Sequence, residues 1–152
     1  MFSIKANGKR SIKNWSESVI IEPKHYLEPK NIAELKEIVR YCSTKNLSLR
    51  VMGAGHSFTP LIATSEVLVS LDKKVGVDFI DQENKLARIW AGTRLKDLGP
   101  ELFDLGYAME NLGDINEQSI AGAVSTGTHG TGMEFGSLSD QVRGITLLTA
   151  SG

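Results

Sequence analysis

The sequence has a single cysteine, Cys42, so it contains no internal disulfide framework. Cys42 falls on the apolar stripe of an expected helix, which reads as a buried structural thiol. The first residues, "MFSIKANGKRSIKNWSESV", lack a long apolar core and a small-residue cleavage site. That excludes a signal peptide of the usual form, and no apolar run is long enough for a membrane span. A cytoplasmic location is the resulting expectation. There is also no basic block: the formal net charge is -1, with 17 Lys and Arg against 18 Asp and Glu. The composition thus gives no electrostatic case for nucleic acid. Three histidines stand in separate contexts, and none is near the cysteine, so no metal site is indicated.

What is present fits one domain of 152 residues, 41% of them hydrophobic. "SVIIEP" (18–23) reads as a short strand ended by Pro23, and "HYLEP" continues in extended form. Asn31 with Glu34 three residues on gives an Asn-led capping box. Ile32, Leu35, Ile38, Val39 and Cys42 follow at helical spacing. "LSLRV" (47–51) and "VLVSL" (67–71) read as strands, the second buried. "VDFID" and "LARIWA" form a predicted hairpin across Gln82–Lys85. "RLKDLGPELFDLGY" is expected to be helical in two pieces, because Gly99-Pro100 should break it. "VRGITLLTASG" reads as a strand running into a turn. Helices and strands mix without a regular βαβ repeat, which indicates α+β architecture. His25 carries no motif and is expected on a surface strand.

Two glycine-rich loops carry the chemical interest. The first is "GAGHS", with Gly53, Gly55, His56 and Ser57. The second, some seventy residues on, is "SIAGAVSTGTHGTG". Glycine lets backbone N–H groups converge on an anion. The dinucleotide fingerprint needs a third glycine, and that slot holds Phe58 in one loop and Phe135 in the other. The Walker pattern needs a lysine that neither loop contains. A helix starting near Ser119 is expected to present free N–H groups as a diphosphate seat. On composition alone either loop is equally a tight turn. Two loops, each with His and Ser or Thr, favour a nucleotide cofactor.

"RVMGAGHSFTPLIATSEVLVSLDKK" followed by "NLGDINEQSIAGAVSTGTHGTG" resembles the FAD-binding domain (PCMH type) of the vanillyl-alcohol oxidase superfamily. The likeness is strongest to its aldonolactone oxidoreductase and alditol oxidase branch, the L-gulono-1,4-lactone oxidase-like enzymes, and runs from about Trp15 to Gly152. The resemblance implies a two-subdomain FAD-binding fold. Residues 1–152 are then expected to be an N-terminal FAD-binding domain, truncated before its end and lacking a C-terminal substrate domain.

The resemblance also implies which residues hold FAD. Val51, Met52, Gly53, Ala54, Gly55, His56 and Ser57 would wrap the pyrophosphate. His56 would be joined covalently to the flavin 8α-methyl, which withdraws electron density from the ring, raises its potential and prevents its loss. Gly113 and Asp114 would lie beside the flavin ring. Ser119, Gly122, Thr126, Gly127, Thr128 and His129 would follow along ring and diphosphate. His129 reads more simply as a buttress of its loop than as a catalytic group.

The implied reaction is oxidation of a CH–OH group of a sugar lactone, sugar or alditol by hydride transfer to flavin N5. In this branch a small residue at the position of Gly113 goes with oxygen as acceptor, and alanine with dehydrogenases. The catalytic groups are expected outside this chain, so the chain alone should have little turnover. Its unpaired sheet edge makes self-association an expectation. The alternatives are a non-catalytic nucleotide-binding or interaction module of the same fold, and a nucleotide-sugar reductase, which His56 argues against.

Overall fold

Val67, Leu68 and Val69 have no solvent exposure and Ser70 has 1%. A strand buried along its whole length must be covered on both faces and both edges, and this apolar run is. In the computed structural model, which describes Ile4 and residues 10–152, it forms the middle of a three-stranded sheet. Residues 1–3 and 5–9, part of the stretch read as lacking a signal peptide, lie outside the described residues.

The chain forms two compact units. The first comprises the described residues up to Lys73 together with Thr146–Gly152, and the second comprises Lys74–Ile145. In the first, β1 (Ile12–Lys13) pairs antiparallel with β2 (Ile20–Ile21). Then follow β3 (His25–Leu27), α1 (Ile32–Lys45), β4 (Leu49–Met52) and β5 (Val67–Ser70). β5 lies between β3 and β4, parallel to both, with Val67 opposite His25 on one side and Leu49 on the other. Side chains alternate between faces. Leu68 packs with Ile12, Ile21 and Tyr26 on one face. Val67 and Val69 pack with Ile38 and Cys42 of α1 on the other.

Both helix ends of α1 are written in its sequence. Asn31 Oδ1 accepts the Glu34 N–H at 2.9 Å. The reciprocal arm of the expected box closes one residue early: Lys30 N–H donates to Glu34 Oε2 at 2.8 Å. At the other end Asn46 takes the left-handed conformation (φ 52°) and its N–H returns to Cys42 and Ser43 carbonyls.

In the second unit β6 (Val77–Asp81) and β7 (Leu86–Ile89) make the expected hairpin. Its turn is held by the Asp81 carboxylate, which accepts from Asn84 N–H and Nδ2 at 3.0 and 2.8 Å. The Asn84 side-chain bond is the main reason the Asp81 carboxyl sits below its usual value. α2 (Leu95–Asp104) buries Leu95, Leu98 and Leu102 against Ala123 and Leu138. α3 (Ile120–Ser125) and a 3-10 turn at Leu138–Gln141 complete the unit.

Two expectations from the sequence fail. α2 is one continuous helix with Pro100 inside it. Proline removes one N–H and crowds the carbonyl four residues back, but its φ is helical. Leu98 and Leu102, 0% and 4% exposed, hold the turns on either side of it. The segment 142–150 is not a strand. A strand exists only in a ladder, and this segment pairs with none among the described residues, leaving Ile145 and Leu147 76% exposed. Among the described residues no helix is long and apolar enough to cross a membrane.

The Cys42 thiol is 3% exposed, and burial, aided by the charge of Glu66, pushes its pKa above the ordinary thiol value. A thiol reagent at pH 8 should therefore label Cys42 at least about 100-fold more slowly in the native protein than in denaturant. Equal rates would place the thiol at the surface. Leu68→Ala should cost about 2–5 kcal/mol in denaturant titration, because it empties a site with no exposed surface.

Candidate functional site

The first glycine loop leaves the carboxyl end of β4, an end of a parallel strand where ligand crevices form in open sheets. Gly55 has φ +69°, a conformation that costs an L-residue strain, and a Cβ there would stand 3.1 Å from Met52 Cε. The turn carries the chain past the 14–19 segment. There Trp15 N–H donates to Gly55 O at 2.7 Å. Asn14, 3% exposed, donates through Nδ2 to Ser57 O at 3.0 Å and to the Ser16 and Ser18 hydroxyls, and its Oδ1 accepts the Val19 N–H. The half-buried His56 imidazole stacks on the Trp15 indole, with centroids 5.5 Å apart and planes 16° apart. Its ring makes no hydrogen bond among the described residues. Val51 and Met52 end the strand, and Gly53 and Ala54 begin the turn.

The second loop is organised from the backbone. Residues 91–96 and 116–121 lace together at the starts of α2 and α3. Leu95 and Lys96 N–H donate to Gln118 O and Asn116 O, while Ile120 and Ala121 N–H donate to Thr93 O and Ala91 O. Lys96 Nζ and the Glu117 carboxylate close the same contact at 2.7 Å. That bond holds the Lys96 ammonium above the usual lysine value. Ser119, the 2% exposed residue before α3, thus sits where the sequence expects a helix start. The free N–H groups expected there are not all free: the first two are spent on carbonyls, and Ser119 makes no side-chain cap bond.

Beyond α3 the predicted residues do gather. Thr126 Oγ1 donates to Gly122 O, and Thr128 exchanges hydrogen bonds with the Gln118 amide. Gly127 turns the chain so that Thr128 N–H reaches Ala123 O. Gly113 lies against Thr128: a Cβ at 113 would be 2.7 Å from Thr128 Cγ2. Asp114 follows, exposed. His129 is exposed and donates from Nδ1 to the carbonyl of the adjacent Gly130 at 2.9 Å. The two histidines therefore differ in kind, since His129 spends a ring nitrogen on backbone and His56 does not.

Each loop taken by itself has donors that suit a diphosphate. Residues 51–59 in the first unit, and residues 119–130 in the second, hold hydroxyls, backbone N–H groups and an imidazole but no carboxylate. Residues 23–152 match the family model described as FAD binding domain. The chain belongs to that family. FAD is accordingly its cofactor.

Named relatives sharpen the placement. An L-gulonolactone oxidase from Scyliorhinus torazame is 35% identical over 140 residues, covering 92% of this chain and 32% of the relative. An L-gulono-1,4-lactone dehydrogenase of Mycobacterium tuberculosis is 34% identical over 139 residues, 91% of this chain and 32% of the relative. A D-arabinono-1,4-lactone oxidase of Candida glabrata is 36% identical over 151 residues, 95% and 29%. The chain spans about a third of the length of these curated relatives. Solved structures show the fold. A cholesterol oxidase from B. sterolicum superposes with TM-score 0.65 at 20% identity, over 80% of this chain and 24% of that one. An alkyldihydroxyacetonephosphate synthase gives 0.67 at 19%, over 72% and 21%. The α+β, PCMH-type architecture expected from the sequence is thereby shown.

Asn14 and Trp15 are the residues that sequence reasoning passed over. Their only signals are the spaced Asn14, Ser16 and Ser18, and a tryptophan that remains 62% exposed.

Two substitutions test the site's geometry. Gly55→Ala should cost about 1–2 kcal/mol from the left-handed backbone alone, read as a lower unfolding midpoint. Gly113→Ala should destabilise by about 1–3 kcal/mol through the Thr128 methyl, and Gly113→Ala with Thr128→Ser should recover most of it. No recovery in the double variant would mean that the Gly113–Thr128 contact is not the cause.

Proposed function

We propose that this chain is the FAD-binding portion of an oxidoreductase that oxidises a CH–OH group of a sugar lactone, sugar or alditol, with oxygen as acceptor. We further propose that His56 carries FAD through a covalent 8α-histidyl link. The observation that supports this most is the contrast between the histidines. His56 sits on a loop pinned on both sides, with its ring stacked and its nitrogens not used by any described residue. An imidazole kept as a structural brace would resemble His129, with a ring nitrogen on a carbonyl. The substrate class draws on the relatives, which are named as oxidases and dehydrogenases of aldonolactones.

When bound, FAD supplies a hydride acceptor at N5 for a carbinol carbon. The chain's own residues bind and orient it. Val51, Met52, Gly53, Ala54, Gly55 and Ser57 would hold the cofactor by backbone and hydroxyl donors. His56 would supply the nucleophilic ring nitrogen; its own N–H proton and one proton of the 8α-methyl would be lost as the bond forms, and the two electrons released would pass through the flavin to oxygen. Gly113, Asp114, Ser119, Gly122, Thr126, Gly127, Thr128 and His129 would supply the remaining contacts. A Cβ at Gly122 would stand 3.4 Å from the Ser119 hydroxyl. No residue of this chain is assigned as the base that removes the substrate's hydroxyl proton. That group, like the sugar-binding residues, belongs to a substrate domain in this reading.

The link is tested by acid precipitation of the full-length protein. Yellow colour should stay in the pellet for the wild type and move to the supernatant for His56→Ala. Colour that washes out of the wild type removes the covalent link, and a protein without any flavin removes the enzyme reading. The acceptor is tested at Gly113. Gly113→Ala with Thr128→Ser, relieved of the clash, should be reoxidised more slowly by air while keeping turnover with an artificial electron acceptor. Unchanged reoxidation would separate Gly113 from oxygen access.

A further inference from the structure

The geometry points to Trp15 as the positioning residue for His56, with Asn14 as its anchor. This deepens the attachment reading above and rests on it for what the imidazole meets. Three contacts bracket His56, two on the flanking backbone and one on its ring. Trp15 N–H donates to the Gly55 carbonyl and Asn14 Nδ2 to the Ser57 carbonyl, at 2.7 and 3.0 Å, one residue either side of His56. The indole then lies nearly parallel to the imidazole, 16° from coplanar. The backbone bonds set the height and direction of the Cα–Cβ bond, and the stack sets the plane of the ring.

Phe58 meets Trp15 edge-on, with centroids 6.1 Å apart and planes at 87°, and so limits the indole itself. Such edge and offset arrangements are the favoured aromatic geometries. The indole does this while 62% exposed. A tryptophan so open to water contributes little to a core, so its place is better explained by the ring it orients than by stability. Asn14 differs: it is buried and fully bonded, so its loss would threaten the fold. Trp15 is therefore the position at which orientation and folding can be separated. An imidazole held in one plane offers each ring nitrogen along one line. A loop histidine without the stack would sample several rotamers and meet a bound ring less often in a reactive pose.

The test uses the full-length protein made in riboflavin-starved cells, reconstituted with FAD. It has three readouts: non-covalent affinity by flavin fluorescence quenching, attachment by acid-stable flavin over time, and the NMR shifts of the His56 ring protons, assigned with His56→Ala. The indole ring current should displace those shifts in the wild type. In Trp15→Leu the displacement should vanish and attachment should slow roughly 10- to 100-fold, with affinity kept within about threefold. Trp15→Phe should retain most of both the displacement and the rate. Attachment at the wild-type rate in Trp15→Leu overturns the positioning role alone. So does a parallel loss of affinity and attachment, which would make Trp15 merely structural. A wild type that binds FAD but never yields acid-stable flavin overturns the attachment reading and this role with it.

Discussion

The first unit depends on the burial of β5 from both faces. Val67, Leu68 and Val69 are sealed between β3 and β4, below one apolar layer and above another, and both neighbouring strands run parallel to β5 with Val67 as a shared register point. That places the carboxyl end of β4 at a defined edge of the sheet, and the glycine turn begins there. The core does not touch the chemistry. It sets the point from which five residues can be aimed, and a shift of register by one residue would turn Val51 and Met52 over.

From that point on, polar bonds take over. The loop around His56 is held by one carboxamide, one backbone N–H and one ring stack, none of them apolar burial in the usual sense. Asn14 can act this way because both ends of its amide are satisfied. A buried amide with an unmet donor or acceptor would cost more than it contributes. The second loop takes a different route: its parts are positioned by main-chain lacing between two helix starts, with side chains added afterwards. The two loops carry similar residues and reach order by different physics.

Local features were legible in the sequence. Asn31 and Glu34 announce the start of α1, the run at Val67 announces a strand buried on both faces, and the glycine turn announces itself by composition. The pairing of the two glycine loops carried the family and the cofactor, because that combination is rare where each half alone is common. What was hidden depends on distant partners. Pro100 looks like a breaker until the leucines around it are seen to be buried. The start of α3 looks like an anion seat until carbonyls 25 or more residues earlier are found on its N–H groups. Residues 142–150 have strand composition, but composition cannot supply a neighbour. Asn14 and Ser57 stand 43 positions apart, and no local pattern joins them.

The lacing between residues 91–96 and 116–121 has one more consequence. Because it is made by main-chain atoms, it is blind to most side chains, and many sequences could be threaded through it at little cost. The exception is an imino acid. At Leu95, Lys96, Ile120 and Ala121 the amide proton itself is the fastening, so proline at any of these four places would unpick the seam. Elsewhere in the same unit, at Pro100, the chain already carries one without harm. The second unit thus tolerates proline inside a helix and excludes it at the helix starts, the reverse of the ordinary preference, and it does so because those starts are where the backbone is sewn to itself.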